Sequence, residues 1–285
     1  MKLVHARGEL SLDHCAVMGI LNRTPDSFFD GGRMDLTAAA EHGLRLVEEG
    51  ASIIDIGAVK AGPGEEVTEQ QEIGRLIPLI EELAGRSSAP LSVETGRPEV
   101  VRRAVEAGAA IVNDVTGLMD EDLAAVCADV GAGLVLMHHG GQIRGRPRHP
   151  RYDDVVEEVG DELRRLASLA MGAGVAQERI AIDPGLDFGK NTLHSLELVR
   201  RLPELTAGEL PVLVAASRKD IIGESLGLPP DERLEGSLAI VALSVAARAA
   251  MVRVHDVEAS VRVVRMVEAI EGRSSPVAPL RGLWD

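Results

Sequence analysis

The stretch from residue 52 to residue 95 has the pattern of one strand–helix–strand unit: SIIDIG (52–57), TEQQEIGRLIPLIEELAG (68–85) and PLSVET (90–95). The two outer segments are short apolar runs of strand length, and the central segment has apolar residues at helical spacing. Continuous apolar strands are typical of parallel sheets that are buried on both faces. The stretch therefore predicts a β–α–β unit of an α/β protein.

The same unit recurs along the whole chain. Helical segments separate eight short apolar runs, which are AVMGIL (16–21), SIIDIG (52–57), PLSVET (90–95), AIVNDV (110–115), GLVLMH (133–138), IAIDPG (180–185), PVLVAAS (211–217) and MVRVHD (251–256). Because eight strands close a barrel, the sequence predicts a single (β/α)8 TIM barrel domain over residues 1–285. Residues 1–14 do not fit the repeat, and we expect them to form a hairpin-like extension across the barrel floor. An open, doubly wound sheet is the structural alternative.

The composition and charge restrict the classes of partner. Aromatic residues are only 2% of the 285 residues, so the core must consist of Val, Ile, Leu and Ala. The formal net charge is -15, which argues against a nucleic-acid partner, because such a partner requires a basic face. A local cationic pocket for a small anion remains compatible with this charge. Only four of the basic residues are lysines (Lys2, Lys60, Lys190 and Lys219), so each lysine calls for an explanation.

The sequence also predicts a cytoplasmic protein without a membrane partner. The start of the chain, MKLVHARGELSLD (1–13), lacks the apolar core of a signal peptide. The most apolar stretch, 238–254, contains two arginines and is shorter than the ~20 residues of a membrane span. Cys15 and Cys127 have neither CxxC nor metal-ligand spacing, which favours a reducing compartment.

Polar residues follow the predicted strands at their carboxyl ends, where TIM barrels carry their sites. These residues are Asn22, Asp55, Glu94, Asn113, His138, Asp183, Ser217 with Lys219, and Arg253 with His255. Carboxylates and amides come from the middle strands and cations from the last two, which predicts a hydrogen-bonding half and an anion-binding half. The alternative is that individual members are only surface caps, as Asp183 before a Pro-Gly turn and His255 before a helix would be.

Several segments resemble the dihydropteroate synthase family, in its order and spacing. They are MGILNRTPDSFFDGGR (18–33), GASIIDIGAVKAGPGEE (50–66), SVETGRPEVVRRAVEAGAAIVNDVTG (92–117), IAIDPGLDFGKN (180–191), SRKDIIG (217–223) and MVRVHDV (251–257). The resemblance covers nearly the whole chain. It implies a transferase that joins 6-hydroxymethyl-7,8-dihydropterin pyrophosphate to p-aminobenzoate, releasing pyrophosphate, in folate biosynthesis.

The resemblance also implies roles for individual residues. The pterin would contact Glu94, Asn113 and Asp183, with Lys219 near the ring, and Phe188 would form a wall of the acceptor pocket. Arg253 and His255 would hold the pyrophosphate, Asn22 would associate with Mg2+, and Lys219, Arg253 and His255 would form the catalytic group. The family is usually a homodimer that pairs through barrel helices, a contact that the apolar helix SLAIVALSVAARAA (237–250) would suit.

Four departures from the family pattern concern mainly the acceptor. The family's Ser-Thr-Arg-Pro-Gly loop is Lys60-Ala61-Gly62-Pro63-Gly64 here, and Glu94 replaces an Asp. Asp187 replaces a Gly, and Asp220 replaces the Ser that follows the lysine. Such a pattern resembles the divergent second copies found beside an ordinary enzyme. Because the carboxylate of p-aminobenzoate would meet Asp220, we expect this acceptor to be used poorly.

Two other functions remain open at this point. One is a paralogue that binds a pterin pyrophosphate but uses another acceptor, and the retained cations favour pyrophosphate chemistry over methyl transfer. The other is a non-catalytic protein that binds a pterin or a partner. Pyrophosphate release with and without p-aminobenzoate separates the three hypotheses.

Overall fold

The computed structural model of the protein describes residues 1–22, 36–59, 67–141 and 149–279. These ranges contain ten strands: β1 (Lys2–His5), β2 (Gly8–Ser11), β3 (Ala16–Asn22), β4 (Ile53–Gly57), β5 (Leu91–Glu94), β6 (Ile111–Asp114), β7 (Gly133–Met137), β8 (Ile180–Asp183), β9 (Leu213–Val214) and β10 (Met251–Val254).

Helices follow the strands in alternation. They are α1 (Leu36–Glu48), α2 (Glu69–Ala84), α3 (Pro98–Ala107), α4 (Leu123–Val130), α5 (Val155–Gly172), α6 (Thr192–Arg200), α7 (Leu202–Thr206), α8 (Asp220–Leu226), α9 (Leu234–Ala246) and α10 (Val257–Ile270). Local sequence fixes several of their starts. Thr68 and Gln71 form a reciprocal capping box at α2, and Asp154 accepts two backbone N–H groups at the start of α5.

Strands β3 to β10 form one parallel sheet in the order β8-β7-β6-β5-β4-β3-β10-β9. Its two outer strands meet through a parallel bridge between Ile182 and Val212, and the Ile182 N–H donates to the Pro211 carbonyl at 2.9 Å. The sheet therefore closes on itself. The predicted TIM barrel is confirmed, and the open-sheet alternative is wrong because an open sheet would leave β8 and β9 as unconnected edges.

The N-terminal extension is an antiparallel hairpin of β1 and β2, as predicted. Leu3 is fully buried and packs into the barrel interior with Met18, Ile53 and Ile111. The Ala6 N–H donates to the Ala110 carbonyl at 3.2 Å, immediately before β6. Since these contacts involve the amino ends of the strands, the hairpin closes the barrel floor and leaves the opposite end for a site.

The core has the aliphatic composition that the sequence predicts. Val, Ile, Leu and Ala side chains on the outer face of the barrel pack against the helices in two clusters. No helix in the described ranges is both long enough and apolar enough to span a membrane.

Candidate functional site

The strand register places three of the polar positions, together with Gly57, in one row at the barrel mouth. Asn22 pairs with Gly57, Gly57 with Glu94, and Glu94 with Asn113, across strands β3, β4, β5 and β6. Neighbouring parallel strands place residues of one row side by side. Backbone pairing therefore brings Asn22, Glu94 and Asn113 to neighbouring strand ends.

An ionic network lies within and just below this row. Arg253 Nε donates to Asp55 Oδ2 at 2.6 Å, and Arg253 Nη2 donates to Glu94 Oε2 at 2.5 Å. Asp55 also accepts from Ser92 Oγ at 2.6 Å and from Asn113 Nδ2 at 3.0 Å. Asp55 and Ser92 are fully buried. The arginine thus bridges two carboxylates from different strands and fixes the geometry of the mouth.

The titration behaviour of this network follows from its burial. Burial raises the pKa of Glu94, while the Arg253 guanidinium opposes that shift. For Arg253, desolvation favours the neutral form, but Asp55 and Glu94 outweigh it and leave the arginine pKa raised. The guanidinium therefore stays charged. The two carboxylates accept hydrogen bonds from its Nε and Nη2 atoms. Only the remaining N–H groups of the guanidinium are therefore available to an external anion in the free protein.

Asp183 and Lys219 are two further charged groups at the mouth, and each influences the titration of the other. Asp183 is buried, and its Oδ1 accepts from the Gly185 N–H at 2.7 Å. Burial raises the pKa of Asp183, and Lys219 is the main opposing influence. Burial likewise lowers the pKa of Lys219, while Asp183 raises it. The two groups therefore favour each other's charged forms at the end of β8.

The Lys219 amine also lies over an aromatic ring. Its Nζ is 4.9 Å from the centroid of the Phe188 ring, within cation–π range, and donates to the Leu186 carbonyl at 2.9 Å. Phe188 is half-buried, so one part of the ring faces solvent at the mouth. This contact brings Lys219 and Phe188 together, and a wall position for Phe188 stays a prediction.

His255 lies past the end of β10 and is exposed at the rim. Its Nδ1 is 3.1 Å from Ser217 Oγ, and its backbone N–H donates to the same oxygen at 3.2 Å. Water reaches part of the ring, and the surrounding protein atoms remove part of its hydration. This desolvation and, secondarily, Arg253 lower the pKa of His255 to about 4. At neutral pH the free protein therefore presents a neutral imidazole here, whereas the sequence predicts a cation.

Oxygen atoms of Asn22 and Glu94 converge above Gly57. A Cβ at this glycine would lie 3.2 Å from Asn22 Oδ1 and 3.6 Å from Glu94 Oε1. Amide and carboxylate oxygens are suitable ligands for Mg2+, which also retains water or substrate oxygens. The part of the chain that the structure describes contains no group of three or more His, Cys, Asp or Glu residues that would hold a metal.

Two residues received no individual role at the site from the sequence. Asp55 is only one of the polar residues at the predicted strand ends, and the structure places it at the centre of the network. Lys190 is buried and contacts His138 Nδ1 at 2.7 Å and the carbonyls of Gly185 and Phe188 at 3.0 and 2.8 Å. Two signals indicated these residues: a charge within the apolar run IIDIG (53–57), and the rarity of lysine.

The structure brings Glu94, Asn113, Asp183, Lys219 and Arg253 to one end of the barrel, with Asn22, Phe188 and His255 at their edge. The altered loop at Lys60, Ala61 and Gly62 lies outside the described residues. Asp220 lies at the start of α8, and its Oδ1 is 3.3 Å from Arg233 Nη1. This arginine offsets part of the negative charge that the sequence analysis assigned to the acceptor side.

The comparisons with known proteins agree with this geometry. The family model described as "pterin binding enzyme" matches residues 18–255. A Mycobacterium tuberculosis protein named inactive dihydropteroate synthase 2 is 47% identical over 278 residues, which cover 95% of this chain and 87% of that protein. The Escherichia coli dihydropteroate synthase is 41% identical, with 94% of this chain and 96% of that protein covered.

A solved structure shows the same fold with a ligand. The dihydropteroate synthase of Xanthomonas albilineans in complex with 7,8-dihydropteroate has a TM-score of 0.84 and 43% identity, covering 92% of this chain and 96% of that one. The match to the family model runs from β3 to the end of β10 and so includes the strands that form the mouth. This chain therefore belongs to the pterin-binding enzyme family, as a divergent dihydropteroate synthase-like member.

Proposed function

We propose that this protein binds 6-hydroxymethyl-7,8-dihydropterin pyrophosphate at the barrel mouth and transfers the pterin to an amine. In that reaction the amine nitrogen forms a bond to the pterin methylene carbon. The bond from this carbon to the pyrophosphate oxygen breaks, pyrophosphate leaves with the bonding pair, and the amine loses a proton. The activity is of the dihydropteroate synthase type, in folate biosynthesis, with p-aminobenzoate as a poor acceptor.

The observation that carries the proposal is an unsatisfied amide oxygen. Asn113 is buried, its Nδ2 donates to Asp55, and its Oδ1 lacks a hydrogen-bond partner among the residues that the structure describes. A buried polar atom without a partner costs about 1–3 kcal/mol, so a ligand donor at this point is favoured. A pterin edge carries N–H groups in a fixed plane, and Asp183 and Lys219 complete a set of one carboxylate, one amide and one ammonium.

The pyrophosphate would lie on the side of β10. Arg253 and His255 are on this strand end, and a neutral imidazole donates one hydrogen bond to a phosphate oxygen. Asn22 and Glu94 would contribute oxygen ligands to a Mg2+ ion held mainly by the pyrophosphate. When bound, this ion would neutralise charge on the leaving group. The protein's own groups would orient the phosphates and keep the methylene carbon exposed to the amine.

The ion pairs of Arg253 favour a second candidate, a non-catalytic pterin-binding protein. The guanidinium is bridged by Asp55 and Glu94, and Glu94 is one methylene longer than the Asp expected from the family resemblance. The relative named inactive dihydropteroate synthase 2 agrees with a site that binds but does not turn over. The two candidates share the pterin site and differ in pyrophosphate release.

Pyrophosphate release and pterin binding test both candidates together. We expect calorimetry to detect pterin binding, and Asp183→Ala to weaken it by about tenfold or more, since a hydrogen bond from the pterin to this buried carboxylate would contribute about 1.5–3 kcal/mol. Slow release of pyrophosphate that depends on an added amine supports the transferase. Binding without release supports the non-catalytic protein. Absence of pterin binding to the folded protein contradicts both.

We also propose that two copies of the chain pair through α9 and α10. These adjacent helices expose large apolar side chains, namely Leu243, Met266 and Ile270, of which Ile270 is 72% exposed. An exposed apolar patch of this kind favours a protein contact. Light scattering should give twice the mass of one chain, and Leu243→Glu with Ile270→Glu should give one chain. A single-chain mass for the unmodified protein contradicts the pairing.

A further inference from the structure

Asp187 has a backbone conformation that favours glycine. It lies in the loop after β8 with φ of 70°, the left-handed region, where a side chain other than glycine is strained. The residue is half-buried beside Phe188. A carboxylate that is kept in such a conformation needs compensation from its contacts.

The carboxylate of Asp187 links three segments of the chain. Its Oδ2 accepts from the Ile221 N–H in the first turn of α8 at 3.0 Å. Its Oδ1 accepts from Ser195 Oγ at 3.1 Å, and Ser195 Oγ in turn accepts from the Asp187 N–H at 3.0 Å. The Asp187 carboxylate is therefore already bound to the first turn of α8. These hydrogen bonds compensate the backbone strain at Asp187.

This carboxylate also lies near the cation of the site. After the dominant effect of burial, Asp183 and then Asp187 are the groups that raise the pKa of Lys219. Lys219 is stacked on Phe188, the wall next to which an amine acceptor would lie. An acceptor anion that approached Lys219 from the side of α8 would therefore meet the negative charge of Asp187. Asp220, which is also at this helix start, is partly offset by Arg233.

We propose that Asp187 is a specificity-determining residue that disfavours acceptors with a carboxylate. Its own carboxylate occupies the Ile221 N–H and adds a negative charge beside the loop of Phe188, so it repels a second carboxylate at this point. An amine without an anionic group on the side of α8 is accordingly a better acceptor than p-aminobenzoate. The inference rests on the proposed pterin site and names the class of second substrate that the site takes.

The test compares p-aminobenzoate with its uncharged analogue p-aminobenzamide, by calorimetry with a pterin bound. Asp187→Asn removes the charge but keeps an oxygen that accepts from Ile221, and it also suits the positive φ. We expect this change to strengthen p-aminobenzoate binding by about tenfold or more and to leave p-aminobenzamide binding nearly unchanged. Asp187→Gly, which relieves the strained backbone, serves as the second variant.

Two controls separate the effect from overall charge. Glu81→Gln removes one negative charge from the exposed surface of α2 and should change neither affinity. Asp220→Asn should have a smaller effect than Asp187→Asn, because Arg233 already offsets this carboxylate.

Intact pterin binding with unchanged p-aminobenzoate affinity in both Asp187 variants overturns the inference and leaves the proposed function standing. Failure of both acceptors to bind any variant beside a bound pterin also overturns it. Absence of pterin binding overturns the proposed function and, with it, this inference.

Discussion

Glu94 shows how one methylene group changes the chemistry of an arginine. The longer side chain carries its Oε2 to 2.5 Å from Arg253 Nη2, while Asp55 holds the Nε atom at 2.6 Å. Such a double ion pair is rigid, and it uses donors that a pyrophosphate would need. We therefore expect the residue type at position 94 to influence how available Arg253 is to an anion.

We predict that Glu94→Asp strengthens the binding of pyrophosphate with Mg2+ by about tenfold, because one charge-assisted hydrogen bond becomes available to the anion. Titration calorimetry measures the change, with Glu81→Asp on the outer surface of α2 as the matched control. Equal or weaker binding by the Glu94 variant would show that the ion pair does not limit Arg253.

Lys190 is a buried amine that connects two segments at the mouth. Its Nζ contacts three carbonyls, of His138, Gly185 and Phe188, and the imidazole of His138. Burial lowers the pKa of Lys190 to about 7. These contacts connect the end of β7 to the loop that carries Asp187 and Phe188, so a buried amine supports the shape of this loop.

We predict that Lys190→Met lowers the free energy of unfolding by about 1–3 kcal/mol, since the replacement fills the space but leaves buried carbonyls without this donor. Urea unfolding gives the value, and Lys2→Met on the exposed hairpin is the control. A variant as stable as the unmodified protein would mean that these contacts only balance the cost of burying the charge.

The elements themselves were largely predictable from the sequence. Apolar runs of strand length and amphipathic helices specify each βα unit locally. Eight such units have few arrangements in which every apolar strand is buried. The strand ends carried the site because every parallel strand points the same way. Local sequence patterns do not indicate which side chains pair across the barrel. Arg253 meets Asp55 over a separation of 198 residues, and Lys190 contacts a histidine 52 residues away. The neutral state of His255 likewise depends on surroundings that only the fold assembles.

Burial of histidines affects the whole molecule through its response to acid. Burial, and then Lys190, lowers the pKa of His138 from 6.5 to about 3. Between these values the unfolded chain binds a proton at this residue that the folded protein does not. The stabilising contribution is therefore complete above pH 6.5 and is lost as the pH falls below it.

We predict that His138→Gln reduces this acid sensitivity. One such proton changes the free energy of unfolding by about 1.4 kcal/mol per pH unit, so between pH 6.5 and pH 5 the unmodified protein should lose about 2 kcal/mol more than the variant. His149→Asn, at an exposed position, is the control for urea unfolding at the two pH values. An equal loss of unfolding free energy in the variant and the unmodified protein would contradict a neutral, buried His138.

For the molecule as a whole, we infer that the barrel mouth is a pterin site, and a change at Asn113 examines this inference. Asn113→Leu keeps the branched shape and the number of side-chain heavy atoms. It removes Oδ1, which has no hydrogen-bond partner among the described residues, together with the Nδ2 donor to Asp55. The measurement is the calorimetric affinity for a 6-hydroxymethylpterin, with the melting temperature as the check of folding. We predict measurable binding to the unmodified protein and a loss of about tenfold or more in the folded variant. Equal affinity of the two proteins, or no binding by either, would show that the mouth is not a pterin site.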